Sequence, residues 1–277
     1  MDNMQSLKRL DPLRGAVRSI VAGDLIKRFD EKGPQGAYEY THEYLERLNI
    51  ETDFVKKKDE RFPLWRERLN TARGIMISNH PSLLDAPLLS QALTRDDAKL
   101  VVNQGLYKRV EGSSLQQMFI PAAKDSLSEA KEMISSIRSI LSAGGLIWIF
   151  PTGGQEIDNG HSESLRFAPG FAHILNELSP EDMVYSFHIN TEDLRPVSSA
   201  LKINTSFLSG EFLPEELNIA RRRDITRVRI DELYSSAKEW QDVLRGVGKK
   251  ERNEALTKHY LEQFSLDKSE LEVLSRG

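Results

Sequence analysis

The chain reads as an α/β protein, with a mixed, largely parallel sheet covered by helices and an N-terminal helical segment ahead of it. Three observations predict this. Short continuous apolar runs, GIMIS at 74–78, LVV at 100–102 and LIWIF at 146–150, are of the kind buried on both faces of a parallel sheet. Between them lie segments whose apolar residues recur three and four apart, the helical period. The two kinds of segment alternate, as strand–helix–strand units do.

Taken in order, residues 1–70 read mostly helical and are expected to form the N-terminal segment, with residues 71–277 as the α/β domain. In LDPLRGAVRSIVAGDLIKRF the residues Leu10, Leu13, Val17, Ile20, Val21 and Leu25 keep helical spacing. A second helix, YEYTHEYLERLNI, follows the turn at Gly33-Pro34, and FVKKKDERFPLWRERL then mixes bases with Phe54, Phe62 and Trp65. From residue 74 strands take over. GIMIS is followed by PSLLDAPLLSQAL, a helix with Pro81 suited to its first turn. SLSEAKEMISSIRSILSAGG is the clearest helix. Ser126 and Glu129 form a capping-box pattern, Ala130, Met133, Ile134, Ile137, Ile140 and Leu141 make one apolar face, and Gly144-Gly145 can end it. MVYSFHI (183–189) and LKINTSFL (201–208) read as further strands.

Composition narrows the function. The 277 residues are 39% hydrophobic and 29% charged, enough to bury a core. A net charge of −4 gives no reason to expect nucleic acid as a partner. The absence of cysteine excludes disulfides, thiolate metal sites and a cysteine nucleophile, and fits a cytoplasmic protein. No run approaches the roughly 18 apolar residues of a membrane span, and MDNMQSLKRL is not a signal peptide. No GxSxG, P-loop or GxGxxG pattern occurs, and HEYLE at 42–46 lacks the second histidine of a zinc-protease helix. No metal site is expected. His161, His173 and His188 read as loop or packing residues, and Arg221 to Arg223 as a solvated basic run.

Two loops carry chemistry. Ligands of such sheets bind beyond the carboxyl ends of the strands, and both NHPSLLD (79–85) and PTGGQE (151–156) leave strands at that edge. In a regular helix His80 and Asp85 would point about 140° apart. With Pro81 opening the helix, however, His80 lies at or before the cap and its ring can fold back to Asp85. A carboxylate on one ring nitrogen fixes the tautomer and leaves the other to accept a proton, which is general-base chemistry needing no serine or cysteine. A helix-capping histidine with an incidental aspartate is the alternative for such a pair alone. Likewise FPTGG either offers backbone N–H groups to an anion or is an ordinary tight turn.

Together these segments resemble the glycerolipid acyltransferases, the glycerol-3-phosphate and lysophosphatidate enzymes. NHPSLLD is similar to their NHxxxxD box. IFPTGG (149–154) is similar to their FPEGT block, and closer to the PSGG form of the soluble plastid-type glycerol-3-phosphate acyltransferases. MFIPAAKDS (118–126) falls where the family has a strand ending in a phosphate-binding base, with Lys124 as the match. RFAPGFAHI (166–174) and VYSFHIN (184–190) fall where later blocks are expected, so the resemblance covers about 70–210. It implies that His80 is the general base and Asp85 its orienter. A hydroxyl then attacks an acyl thioester on CoA or acyl carrier protein, with no other cofactor. It also implies that Asn79, Lys124, Pro151, Thr152, Gly153, Gly154 and Arg166 line the substrate region.

The departures bear on the acceptor. Thr152 replaces the family's acidic residue, and Gln155, Glu156 and Ile157 stand where the plastid-type enzymes carry arginines, with none until Arg166. A phosphate there loses charge-assisted hydrogen bonds, each worth roughly 1.5–3 kcal/mol. The expected acceptor is glycerol-3-phosphate or a lysophospholipid. A non-phosphorylated acceptor is the alternative, and a non-catalytic lipid-binding relative a third reading, against which the intact Asn79, His80 and Asp85 argue. A hydrophobic groove for the acyl chain is expected beside His80. The aromatic and basic stretch 54–68, with the helix at 10–28, either rests on a membrane surface peripherally or packs on the α/β core.

Overall fold

The computed structural model describes residues 23–56, 65–80, 84–123, 126–153, 165–190 and 225–264. The expected strand at 201–208 and helix start at Pro81 lie outside them, as does the part of the first predicted helix before residue 23. So do residues 57–64, His161 and Arg221 to Arg223.

Among the described residues seven strands form one sheet: β1 (Ile50–Lys56), β2 (Gly74–Ser78), β3 (Ala98–Val102), β4 (Phe119–Pro121), β5 (Leu146–Ile149), β6 (Met183–Ile189) and β7 (Thr226–Ser236). Their order is β1-β7-β6-β2-β5-β3-β4. Only β6 and β7 pair antiparallel; every other neighbouring pair is parallel, so the sheet is mixed and largely parallel as the sequence predicts.

The apolar runs are continuous because both faces are covered. Met76, Leu146, Trp148, Tyr185, Phe187 and Ile189 point into one core cluster, and Ile75, Ile77, Ile147, Ile149 and Val184 into the other, the period-two alternation of a strand. The first cluster is closed by α1 (Pro34–Arg47), α2 (Trp65–Thr71) and α3 (Asp85–Ser90), through Tyr38, Leu45, Leu69, Leu88 and Leu89. After α4 (Gln104–Arg109), the second is closed by α5 (Leu127–Ser142), α6 (Phe171–Leu175), α7 (Ala237–Val243) and α8 (Arg252–Gln263). Ile137 and Leu141 are the fully buried members of the α5 face read from the sequence, and the Ser126 side chain caps the helix by accepting from the Glu129 N–H at 3.1 Å.

Two corrections to the sequence reading concern strands. The described part of residues 1–70 is mostly helical, at 23–32, α1 and α2, but it also holds a strand the sequence reading did not expect, Ile50–Lys56, paired with β7 at the edge of the sheet. Its sequence, IETDFVK, is mostly polar because an edge strand buries little; Glu51 and Asp53 are exposed. β7, TRVRIDELYSS, was missed for the same kind of reason: Val228, Ile230 and Tyr234 are buried in alternation with exposed arginines that mask the pattern. Among the described residues no helix is long and apolar enough to cross a membrane.

Candidate active site

The parallel strands β2, β5 and β6 end at one edge, and the two chemistry-bearing loops leave from it. β2 delivers Asn79 and His80, and α3 begins with Asp85 in its first turn. The His80 Nδ1 lies 2.8 Å from Asp85 Oδ2. An ionised carboxylate can only accept, so the proton of this bond sits on Nδ1 and Nε2 is the basic nitrogen. Asp85 is fully buried, whereas the His80 side chain keeps 19% of its surface accessible. The carboxylate is enclosed in protein, and the imidazole is partly open to solvent.

The loop after β5 supplies a contact that the sequence reading left out. Phe150 stacks on His80, with ring centroids 4.1 Å apart and planes 15° from parallel. It belongs to the same face of β5 as Trp148, which brings it to the Asp85 side of the sheet. Its position directly ahead of the Pro151 block was the available signal. Beyond it, the Gly153 N–H donates to the Phe150 C=O at 3.1 Å, closing a turn with Pro151 at its second position. Gly153 has φ +74°, a conformation that suits glycine. The turn therefore takes up the N–H of Gly153.

The remaining expected residues separate into three groups. Pro151 is buried and Thr152 half-buried beside Phe150. Arg166 is exposed, and the Ala168 N–H donates to the Pro151 C=O at 2.7 Å, which ties its segment to the same loop. Lys124 and Gly154 lie outside the described residues, as do 81–83 and 155–164. Asn79 has a different place from the substrate contact expected of it. It is 2% exposed, its Nδ2 donates to the Ile189 C=O at 3.0 Å, and its Oδ1 accepts from the Ile189 N–H at 2.8 Å. Its carboxamide fastens the start of the His80 loop to the end of β6.

Tyr260, on α8, also reaches this edge. Its hydroxyl accepts the Asn79 N–H at 3.1 Å and donates to the Phe187 C=O. Nothing in the local sequence points to it, since it lies far down the chain from the motif it touches.

The segment matched by a family model covers the middle of this architecture. Residues 56–190 match the family model described as acyltransferase, a span from the end of β1 to just past β6 that holds His80, Asp85, Phe150 and Arg166. The crystal structure of the 1-acyl-sn-glycerophosphate (LPA) acyltransferase PlsC from Thermotoga maritima is similar with a TM-score of 0.47 and 14% identity, over 96% of this chain and 100% of that one. No curated protein matches the chain.

Proposed function

We propose that the chain is an acyltransferase that moves a fatty acyl group from a CoA or acyl-carrier-protein thioester to a hydroxyl of glycerol-3-phosphate or a lysophospholipid. The observation that carries this reading is the 2.8 Å His80–Asp85 contact at the ligand-binding edge of the sheet, inside the segment matched by the acyltransferase family model. His80 Nε2 takes the proton of the acceptor hydroxyl as its oxygen attacks the thioester carbon. The C–S bond breaks, and the imidazolium returns that proton to the leaving thiolate. Asp85 holds the tautomer and stabilises the imidazolium, and Phe150 fixes the plane of the ring. No acyl-enzyme is needed.

The acceptor's phosphate, where there is one, falls to Lys124 and Arg166. A second acceptor class, a non-phosphorylated hydroxyl or amine, is favoured by Gln155, Glu156 and Ile157 in the stretch where the resembling enzymes carry bases. Any membrane association is peripheral, through the aromatic and basic residues of 54–68 and the helix ahead of them. The test is thioester turnover with a panel of acceptors, read as free thiol released. Thiol release that depends on one acceptor class assigns the substrate. Release no faster than hydrolysis with every acceptor and donor overturns the assignment.

A further inference from the structure

We propose that Tyr260, on the C-terminal helix, is a positioning residue for His80: its hydroxyl is inserted between β2 and β6 and sets the direction in which the chain leaves the sheet. This deepens the acyltransferase reading above and rests on it for the kinetic part only.

The inference follows from the phase of the ladder. β2 and β6 pair in parallel from Gly74–Met183 to Ser78–Phe187. The Met183 N–H donates to the Arg73 C=O. In a parallel ladder alternate residues of one strand both donate and accept, so Asn79 is the next residue due to do so. Its N–H would go to the Phe187 C=O, and its C=O would receive the Ile189 N–H. Neither rung is direct. The Asn79 N–H goes to the Tyr260 hydroxyl, which passes the bond on to the Phe187 C=O. The Ile189 N–H goes to the Asn79 side-chain oxygen. A phenol and a carboxamide thus occupy the two rungs that would have extended the sheet by one residue.

The strands part at that point. Asn79 is gripped from the α8 side of the sheet, and the next residue turns to the other side, where its ring meets Asp85 and Phe150. Tyr260 is itself rigidly seated. It is fully buried, packs on Phe167 and Phe264 at 5.4 and 5.0 Å between ring centroids, and has His188 Nδ1 at 3.5 Å from its hydroxyl. Without the hydroxyl, the default is for the ladder to zip up by one rung, drawing the chain before His80 toward β6 and the imidazole away from its partners.

The experiment is Tyr260→Phe, read by the two ring-nitrogen NMR shifts of His80 in protein labelled at histidine, assigned by their loss in His80→Ala. In the wild type they report a fixed Nδ1–H tautomer. In Tyr260→Phe they are expected to move toward the averaged values of an imidazole exchanging tautomers. The turnover number should fall tenfold or more, on the order of what misplacement of a catalytic group by about 1 Å costs, with the KM for the acyl donor little changed. Trp240→Phe is the control: it removes another buried bond on the same side of the sheet, from the indole N–H to Ser235 Oγ at 2.9 Å, and should leave the His80 shifts in place. If Tyr260→Phe does not fold, 3-fluorotyrosine at 260 makes the hydroxyl a weaker acceptor for the Asn79 N–H, and a shift at His80 is again expected. Unchanged His80 shifts in the variant tested, or equal shifts in Trp240→Phe, overturn the proposal whatever the kinetics show. Because the NMR result needs no turnover, a failure of the acyltransferase assignment is told apart from a failure of this one.

Discussion

The imidazole of His80 is constrained at its edge by the Asp85 carboxylate and on its face by Phe150, while the residue before it is fastened to β6. Each constraint makes a prediction. His80→Ala should remove acyl transfer by about 10²–10⁴-fold, the usual worth of a general base, with the circular dichroism spectrum unchanged. Near wild-type turnover would sink the mechanism. Asp85→Asn keeps the size of the side chain but offers a donor as readily as an acceptor, so the Nδ1–H tautomer is no longer enforced. Its turnover should fall by a similar factor of about 10²–10⁴, measured as thiol release under saturating donor. Phe150→Leu keeps an apolar group but loses the flat surface. Its turnover should drop about tenfold by loss of ring orientation, and the substitution is informative only if the KM for the donor stays near its wild-type value. The pair His80 and Asp85 was legible from sequence because the two stand close together just past an apolar run, although the described helix there, Asp85–Ser90 with Leu84 at its N-cap, is shorter than the one expected over 81–93. Phe150 carried a signal in its place directly ahead of the Pro151 block, though not its stacking on His80, which joins two strands; Tyr260 carried none, because a bond from the last described helix depends on topology that no short window contains.

At the scale of elements, β2 is the piece on which the site hangs, and its neighbours press closely on it. A Cβ built at Gly74 would stand 2.2 Å from the Met183 C=O of β6, so no larger residue fits without moving the paired strand. Gly74→Ala should cost about 1–3 kcal/mol or more by overpacking, seen as a lower urea midpoint with an unchanged slope. At the opposite end of the sheet from His80, Arg95 ties several elements together. It is nearly buried and donates to both carboxylate oxygens of Asp97 and to the carbonyls of Leu69, Ala72 and Gly144. These bonds join the end of α2, the start of β3 and the turn after α5. Arg95→Ala should destabilise the fold by about 2–4 kcal/mol through the orphaned carbonyls. The same contact gives a pH dependence. The hydrogen bond from Arg95 holds the Asp97 carboxyl below its ordinary value. The stability it adds is present above the usual carboxylate pKa of about 4. It is lost as pH falls through the lowered value. Asp97→Asn should flatten that part of the acid-unfolding curve, and an unaltered curve would count against it. The central strands were readable from sequence because burial on both faces forces apolar runs. β1 and β7 were not, because charged residues on an edge strand or on an open face carry no such pressure.

At the scale of the whole molecule, one sheet separates two cores, and the chain crosses between them repeatedly. Trp148 lies in one core and Trp240 in the other. Variants keeping only one of these two, with Trp65 replaced in both, should unfold in urea at the same midpoint apart from the small cost of the substitutions, since the strands between them are shared. Separate transitions would argue that the two faces of the sheet unfold independently. The pairing of β1 with β7 has a further consequence for how the molecule is made. Ile50 lies opposite Thr226, so the first described strand is synthesised long before its parallel partner, the last described one. During synthesis it waits as an unpaired edge, the state in which strands adhere to other chains. The exposed Glu51 and Asp53 carry charge on that edge, the kind of side chain that discourages edge-to-edge adhesion. Pairing over such a sequence distance is slow, so β1 is expected to join the sheet late in folding.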